Sequence, residues 1–505
     1  IGTFESRGIL TDESFRVAAD ASLPHGMNNP QPGWFEQEAE AVWWGDLCKL
    51  CRTLIKQSGI RPEQIACVGT SALGTDCLPV DEQCRPLRPA ILYGIDARAS
   101  EEAAWLTEHY GQARVQELFG HPICSGDTAT KILWLRRHEP EIYAKTAYFL
   151  TGSSFLTARL TGKYVIDQSL AKGSFRPLYQ ADGGVNEAEC GLYCRPDQIA
   201  ACAWSTDIVG TVTPEAAAQT GLAAGTPVIT GTGDSTAEAI SVGLVEPGTA
   251  FFQYGSSMFY YYCTDHFVGS YVSPQGNGAL KGGKAFTVPG TYCLGDGTNA
   301  AGTLTRWVRD LLYSKELDAE KQGGENAYAV MAREAAAVPP GSDGLIMLPY
   351  IYGERSPLQD AEATGMLFGL KGTHGRAQIN RAALEAVGYS TYQHLLLFEE
   401  LGVPPRRIIT AGGGTKNAAW MQIICDMAGM PLTIPEPFQC SSYGDAMLAA
   451  LGVGALESFA ALRAALPQGR ILQPDRKNHE FYQEHYPIFR DLYLENRDRM
   501  HRMQK

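Results

Sequence analysis

Residues 227–243 read PVITGTGDSTAEAISVG. The segment opens as an apolar run, Val228-Ile229-Thr230, and breaks into Gly231-Thr232-Gly233. It then continues as small apolar residues at helical spacing. A buried strand, a glycine turn and a helix, in that order, make half of a βαβ unit. One carboxylate, Asp234, stands at the turn, flanked by hydroxyls. An acid at a helix start reads as an N-cap. An acid on a rigid strand end, beside glycines that admit a ligand, also reads as a catalytic base.

Working outward, the same alternation runs along the chain. Residues 64–70, 146–150 and 226–230 read as strands, and 99–109 and 130–145 as amphipathic helices, which implies a parallel sheet covered by helices. Glu246-Pro247-Gly248 is a turn signal. Residues 248–264 then read as two strands around a Gly-Ser-Ser hairpin. A second set follows: helices 299–315 and 326–337, strand 344–350, a long helix 376–401, strand 407–411, and helices 417–429 and 443–454. Residues 268–284 read as a surface hairpin or loop, and the segment from 474 as a closing amphipathic helix. A chain of 505 residues exceeds the size at which one core stops growing. The boundary is placed near 245, giving domains 1–245 and 246–505.

A net charge of −13 argues against nucleic acid as a main partner, because phosphate contacts need clustered Lys and Arg. A small anion held by backbone N–H groups stays open. No segment reads as membrane-spanning: Ala446 to Leu466 is interrupted by Gly452, Gly454, Glu457 and Arg463. Thirteen cysteines, an odd count without a secretory signal, point to reduced thiols in a cytoplasm. Cys48-Lys49-Leu50-Cys51 lies inside a helical run and has no second pair at zinc spacing, so it reads as ordinary thiols. The chain opens on Ile1 without Met, and an upstream residue is expected.

Four glycine-hydroxyl turns organise the functional reading: Ile1-Gly2-Thr3, Gly231 to Ser235, Gly255-Ser256-Ser257, and Gly412-Gly413-Gly414-Thr415-Lys416-Asn417. Two fall in each half. Exposed N–H groups and hydroxyls at strand ends make anion nests, and together the four suggest a nucleoside triphosphate clamped between related domains. None fits GxxxxGK[ST] or a first-strand GxGxxG.

Two further stretches, GDTATKILWLRRH (126–138) and GMLFGLKGTHGRAQINRAALE (365–385), resemble the two signatures of the FGGY family of carbohydrate kinases. PYIYGERSPLQD (349–360) is similar to the Gly-Glu-Arg-x-Pro stretch of xylulokinase-like members. The resemblance implies an α/β fold of two actin-like (ribonuclease H-like) domains around a cleft, the first binding sugar and the second ATP. It implies an ATP- and Mg²⁺-dependent kinase whose partners are a small sugar and ATP, with a homodimer left open. By resemblance, Asp234 is the catalytic base and lies at the metal. Gly2, Thr3 and Arg7 look like the first phosphate loop and Gly255, Ser256 and Ser257 like the second. Gly302 matches a glycine against which the family's nucleotide packs, and Gly412, Gly413, Gly414 and Asn417 look like the adenosine motif. The family also carries an Asp just before the first Gly-Thr, a position that would precede Ile1.

On the sugar side the resemblance points to Gly74, Thr75, Asp76, Tyr93, Asp96, Asp234 and Ser235. Gly74-Thr75 stands where xylulokinases carry Met-His, and Gly126 where glycerol kinases carry Tyr. An aromatic can pack on a sugar's apolar face and a carboxylate can accept from two hydroxyls. Tyr93 as a core residue and Asp96 as a helix cap are the plain structural alternatives. Lys172 reads as a surface lysine or as a contact to an acidic sugar. The expected acceptor is a ketopentose such as xylulose, with gluconate, ribulose or glycerol as alternatives. An actin-like ATPase or chaperone and a catalytically inactive sugar-binding regulator are the rival classes.

Overall fold

The computed structural model describes residues 1–435 and 440–504. The chain folds into two compact units. The first comprises Ile1–Val245, Lys284–Tyr292 and 440–466, and the second Glu246–Gly283, 293–435 and 467–504. Among the described residues no helix is long and apolar enough to cross a membrane.

In the first unit the hairpin Glu5–Thr11 and Val17–Pro24 is antiparallel, and helix Gly45–Ser58 packs on it. Segment 64–70, expected as a strand, starts in the short 3₁₀ turn Pro62–Gln64 and enters a ladder only briefly. It bridges Val68 to Val228, and the strand proper is Ser71–Ala72, parallel to Thr232–Gly233. The helix expected over 130–145 is two helices, Thr128–His138 and Pro140–Lys145. Pro140 lacks the N–H a continuous helix needs and bars its predecessor from helical backbone, so the helix ends before it. Trp43, Leu78, Ile91, Leu135, Phe149 and Phe155 form the core, each at most 1% exposed. Burying one such side chain stabilises by about 1.5–3 kcal/mol.

Helix Ser441–Gly452 belongs to this first unit despite its late place in the chain. It packs directly on helix Asp234–Ser241: a Cβ at Gly444 would lie 1.8 Å from the Ala237 carbonyl oxygen. Its small residues allow that approach.

The second unit carries a mixed sheet whose neighbours run Tyr292–Gly297, Met258–Thr264, Thr249–Tyr254, Arg407–Ala411, Leu432–Ile434 and Arg470–Leu472. Thr249–Tyr254 pairs antiparallel with Met258–Thr264 and parallel with Arg407–Ala411. Helix Arg376–Glu400 is buried along most of its length, consistent with its Ala- and Leu-rich sequence. The closing helix Arg476–Met503 joins the core through Tyr482, Tyr486 and Phe489, with Phe489 stacked on Tyr389 at 4.9 Å.

Candidate active site

In the first unit the turn of 227–243 explains its glycines. Gly231 has φ of 77°, and a Cβ there would stand 2.1 Å from the Thr70 carbonyl oxygen. Only glycine fits a left-handed backbone pressed onto a neighbouring strand. The chain then re-enters the ladder at Thr232–Gly233 and starts helix Asp234–Ser241. The cap residue is Gly233, so Asp234 is the first helical residue and not the N-cap. Its Oδ1 accepts the Ser235 N–H at 2.7 Å. Asp234 is partly exposed, and burial raises its carboxyl above the usual range.

Gly74 lies against this strand end: a Cβ built on Gly233 would be 3.6 Å from the Gly74 Cα. Gly74 and Thr75 are partly exposed, whereas Asp76 is fully buried. Asp76 feels the charges of Lys131 and Asp234, and neither of its carboxylate oxygens is in a well-formed hydrogen bond. Lys131, also fully buried, donates to the carbonyls of Thr75 at 2.7 Å and Gly126 at 3.0 Å. Burial pushes the Asp76 carboxyl up and the Lys131 ammonium down, with each partner's charge opposing that shift. Lys131 thus ties the Gly74-Thr75 loop, which lies at the strand end of Asp234, to the turn at Gly126. The sequence shows it as a lone cation in the apolar run TATKILWL.

Tyr93 and Thr3 share a hydrogen bond between hydroxyls at 3.1 Å, which joins a residue expected at the sugar to one expected at a phosphate. Asp96 is a correction to the sugar-contact expectation. It is 1% exposed, and its oxygens accept the Phe35 N–H at 2.7 Å, the Arg98 N–H at 3.0 Å and the Arg98 guanidinium at 2.8–3.0 Å. Arg98 in turn pairs with Glu36 at 2.8 Å. The carboxylate's acceptor capacity is taken up inside the fold, and removing one partner of such a buried pair costs about 3–5 kcal/mol. Arg7 pairs with Asp20 across the hairpin, but on an exposed face. A pair of that kind is worth about 0–1 kcal/mol, so it does not commit the guanidinium.

Two acids escaped the sequence reading. Asp445, a lone charge in the small-residue helix Ser441–Gly452, accepts Ser71 Oγ–H at 2.7 Å, and burial pushes it up to about 7. Asp167, 2% exposed, accepts from Thr232 Oγ1 and the Ser169 N–H, both at 3.1 Å, and burial pushes it up to about 6.

In the second unit the expected nucleotide residues form one cluster. Gly255-Ser256-Ser257 is the tip of the hairpin between Thr249–Tyr254 and Met258–Thr264, with Ser256 exposed. The adjacent parallel strand Arg407–Ala411 ends in Gly412, whose φ is 94° and whose Cβ would stand 2.6 Å from the Tyr254 carbonyl oxygen. A Cβ on Gly414 would meet Tyr254 and Trp420 at 2.8 and 2.9 Å, while one on Gly413 would meet nothing within 4 Å. Asn417 caps helix Ala418–Ala428, its Oδ1 accepting the Trp420 N–H at 3.0 Å. Gly302 opens helix Gly302–Leu312 and donates its N–H to the Gly255 carbonyl at 2.9 Å. Two glycine turns lie on adjacent strand ends, and the first N–H groups of helix Gly302–Leu312 are spent on holding the 255–256 tip beside them.

The model of the N-terminal domain of the FGGY family of carbohydrate kinases matches residues 1–241, and that of the C-terminal domain residues 254–453. Xylulose kinase of Escherichia coli (strain K12) is 29% identical, with 98% of this chain and 97% of that protein covered. Gluconokinase of Bacillus subtilis (strain 168) is 28% identical over 97% of this chain and 94% of its own length. The crystal structure of xylulose kinase from Rhodospirillum rubrum superposes with a TM-score of 0.88 at 28% identity, covering 99% of this chain and 98% of that one. The two-domain actin-like fold of these kinases is the fold of this chain.

Proposed function

The chain belongs to the FGGY family of carbohydrate kinases, phosphotransferases acting on a sugar hydroxyl with ATP as donor, and from that premise we propose a ketopentose such as xylulose as the acceptor. In this reading the first unit holds the sugar and the second the nucleotide. Asp234 accepts the proton of the sugar hydroxyl as its oxygen bonds to the γ-phosphorus. The bond to the β-phosphate oxygen breaks and ADP leaves. Proton acceptance of this kind contributes about 10²–10⁴ in rate. One observation carries the assignment: a partly exposed carboxylate, raised by burial, at a strand end held against the Gly74-Thr75 loop.

The loops 255–257 and 412–414 would receive the phosphates and the adenosine, and Gly2-Thr3 a further phosphate oxygen. Kinase Mg²⁺ is held by one or two carboxylates plus the nucleotide's phosphates. Asp234 fits that donor set, and the ion would neutralise phosphate charge there. Thirteen cysteines, all unpaired, fit a reducing cytoplasm. The homodimer is a finer reading that light scattering would test.

A sugar acid is a second reading, favoured by Lys284. A Cβ built on Gly173 would meet the Lys284 stem at 3.0 Å, and the Lys284 charge reaches both Asp167 and Asp234. ADP release measured over ketopentoses, pentitols, glycerol and gluconate separates the two. Asp234→Asn is expected to lower turnover by about 10²–10⁴ with sugar affinity within about tenfold. Retained turnover would sink the base assignment.

A further inference from the structure

The stretch Gly353-Glu354-Arg355-Ser356-Pro357 takes no part in the chemistry above, yet it converges on one turn, 296–299. Glu354 is 2% exposed, and its Oε1 accepts the N–H of Asn299 at 2.8 Å and of Arg355 at 2.7 Å. Its Oε2 is buried with no hydrogen-bond donor among the described residues. Arg355 donates from Nε to the Gly297 carbonyl at 2.8 Å and pairs with Asp296 at 3.3 Å. The Ser356 N–H reaches the same carbonyl at 3.1 Å. Asn299 Nδ2 donates back to the Tyr352 carbonyl at 3.1 Å. The Glu354 carboxyl on the turn's N–H and the Arg355 guanidinium on its C=O hold both kinds of backbone group, the guanidinium bond being charge-assisted.

That turn supports the hairpin tip. The Thr298 N–H donates to the Met258 carbonyl at 2.8 Å, and Thr298 Oγ1 accepts the Met258 N–H at 3.2 Å. Just beyond it, the N–H groups of Ala301, Gly302 and Thr303 donate to the carbonyls of Ser256, Gly255 and Ser256 at 3.0, 2.9 and 2.9 Å. There is no slack in the contact: a Cβ at Gly297 would lie 2.3 Å from the Met258 carbonyl oxygen. Close-packed backbone transmits a displacement instead of absorbing it.

We propose that Glu354 and Arg355 are positioning residues for the nucleotide, setting turn 296–299 and through it the Gly255-Ser256-Ser257 tip. The inference rests on the reading of that tip as a phosphate loop. Burial pushes the Glu354 carboxyl up to about 7, so an uncharged side chain with the same acceptor suits the site.

The experiment is calorimetric titration of MgADP into the wild-type chain, Glu354→Ala, Glu354→Gln and Arg355→Met, with thermal melts of each. Glu354→Ala and Arg355→Met are expected to weaken MgADP binding by about tenfold or more while still folded, the scale of one or two lost hydrogen bonds. Glu354→Gln, keeping an oxygen for both N–H groups, is expected to restore binding to within about threefold of wild type. Folded Glu354→Ala and Arg355→Met proteins that bind MgADP within about twofold of wild type would overturn the proposal. So would a Glu354→Gln protein as weak as Glu354→Ala. If Glu354→Ala does not fold, Arg355→Met decides, since that side chain is 44% exposed and its loss opens no buried void. Wild-type protein that binds no MgADP would overturn the phosphate-loop reading, and this inference with it.

Discussion

Gly302→Ala tests whether the start of helix Gly302–Leu312 is pressed onto the hairpin tip as the structure has it. The added Cβ would stand 2.5 Å from the Gly255 carbonyl oxygen, 3.3 Å from its carbon and 3.5 Å from the Ser256 Cα. All three are backbone atoms, so no side chain can swing aside. Reaching an ordinary contact distance of 3.4 Å takes about 0.9 Å of backbone movement. The same carbonyl accepts the Gly302 N–H, so that movement strains the bonds from 301–303 to the tip. Overpacking of this kind costs about 1–3 kcal/mol. Alanine's advantage in helix propensity offsets at most about 1 kcal/mol. With the full offset the variant is expected to be less stable by about 0–2 kcal/mol, so the kinetics carry the test. A misplacement near 1 Å at a binding loop costs about 10²-fold in kcat/KM. The assay is initial-rate kinetics with ATP varied, alongside a denaturant melt. Gly413→Ala is the control: nothing lies within 4 Å of its Cβ, so it should leave stability unchanged. Any rise in KM for ATP there would report contact with the ligand and not strain. A Gly302→Ala protein with wild-type stability and KM for ATP would refute the reasoning.

Two other expectations follow from the first unit. Gly444→Ala places a Cβ 1.8 Å from the Ala237 carbonyl oxygen, so it should force helix Ser441–Gly452 off the helix carrying Asp234. It should destabilise by about 3 kcal/mol and lower kcat; an unchanged melting temperature would count against this packing. Asp167 titrates near 6 when folded against an ordinary value of 3.8, so the folded state holds the extra proton between those values. Stability from this group is present below 3.8 and lost as pH rises through 6, amounting to about 3 kcal/mol. Asp167→Asn should flatten that part of the profile and raise stability at pH 8, read from melts across pH; an unaltered slope would refute it.

Local periodicity and turn chemistry were enough to read helix Arg376–Glu400, strand Arg407–Ala411 and the strand-turn-helix around Asp234, because each is specified by neighbours in sequence. The break at Pro140 was also written locally but overlooked. Strand 64–70 was over-read, since an apolar run says nothing about how many of its N–H groups find a ladder. Asp96 shows the limit on the site: its residue type suits a sugar hydroxyl equally well, and the partners that occupy it lie 61 residues away at Phe35 and two residues away at Arg98.

Sequence alone determined the alternating α/β pattern, the strand-end glycine turns at 231, 255 and 412, the family and the carboxylate at the end of 227–234, whereas Ile1-Gly2-Thr3 precedes strand Glu5–Thr11 and ends none. These are short-range matters of dihedral freedom, spacing and residue chemistry. Tertiary structure alone decided that the late segment 440–466 packs on the helix of Asp234, that Ser71 bonds to Asp445, and that Asp96 serves the fold. It also decided that Glu354 and Arg355 converge on turn 296–299. Each of these depends on which distant groups share a buried space. Burial sets both the free energy of a charge and the need for its partners, and no window of sequence records it.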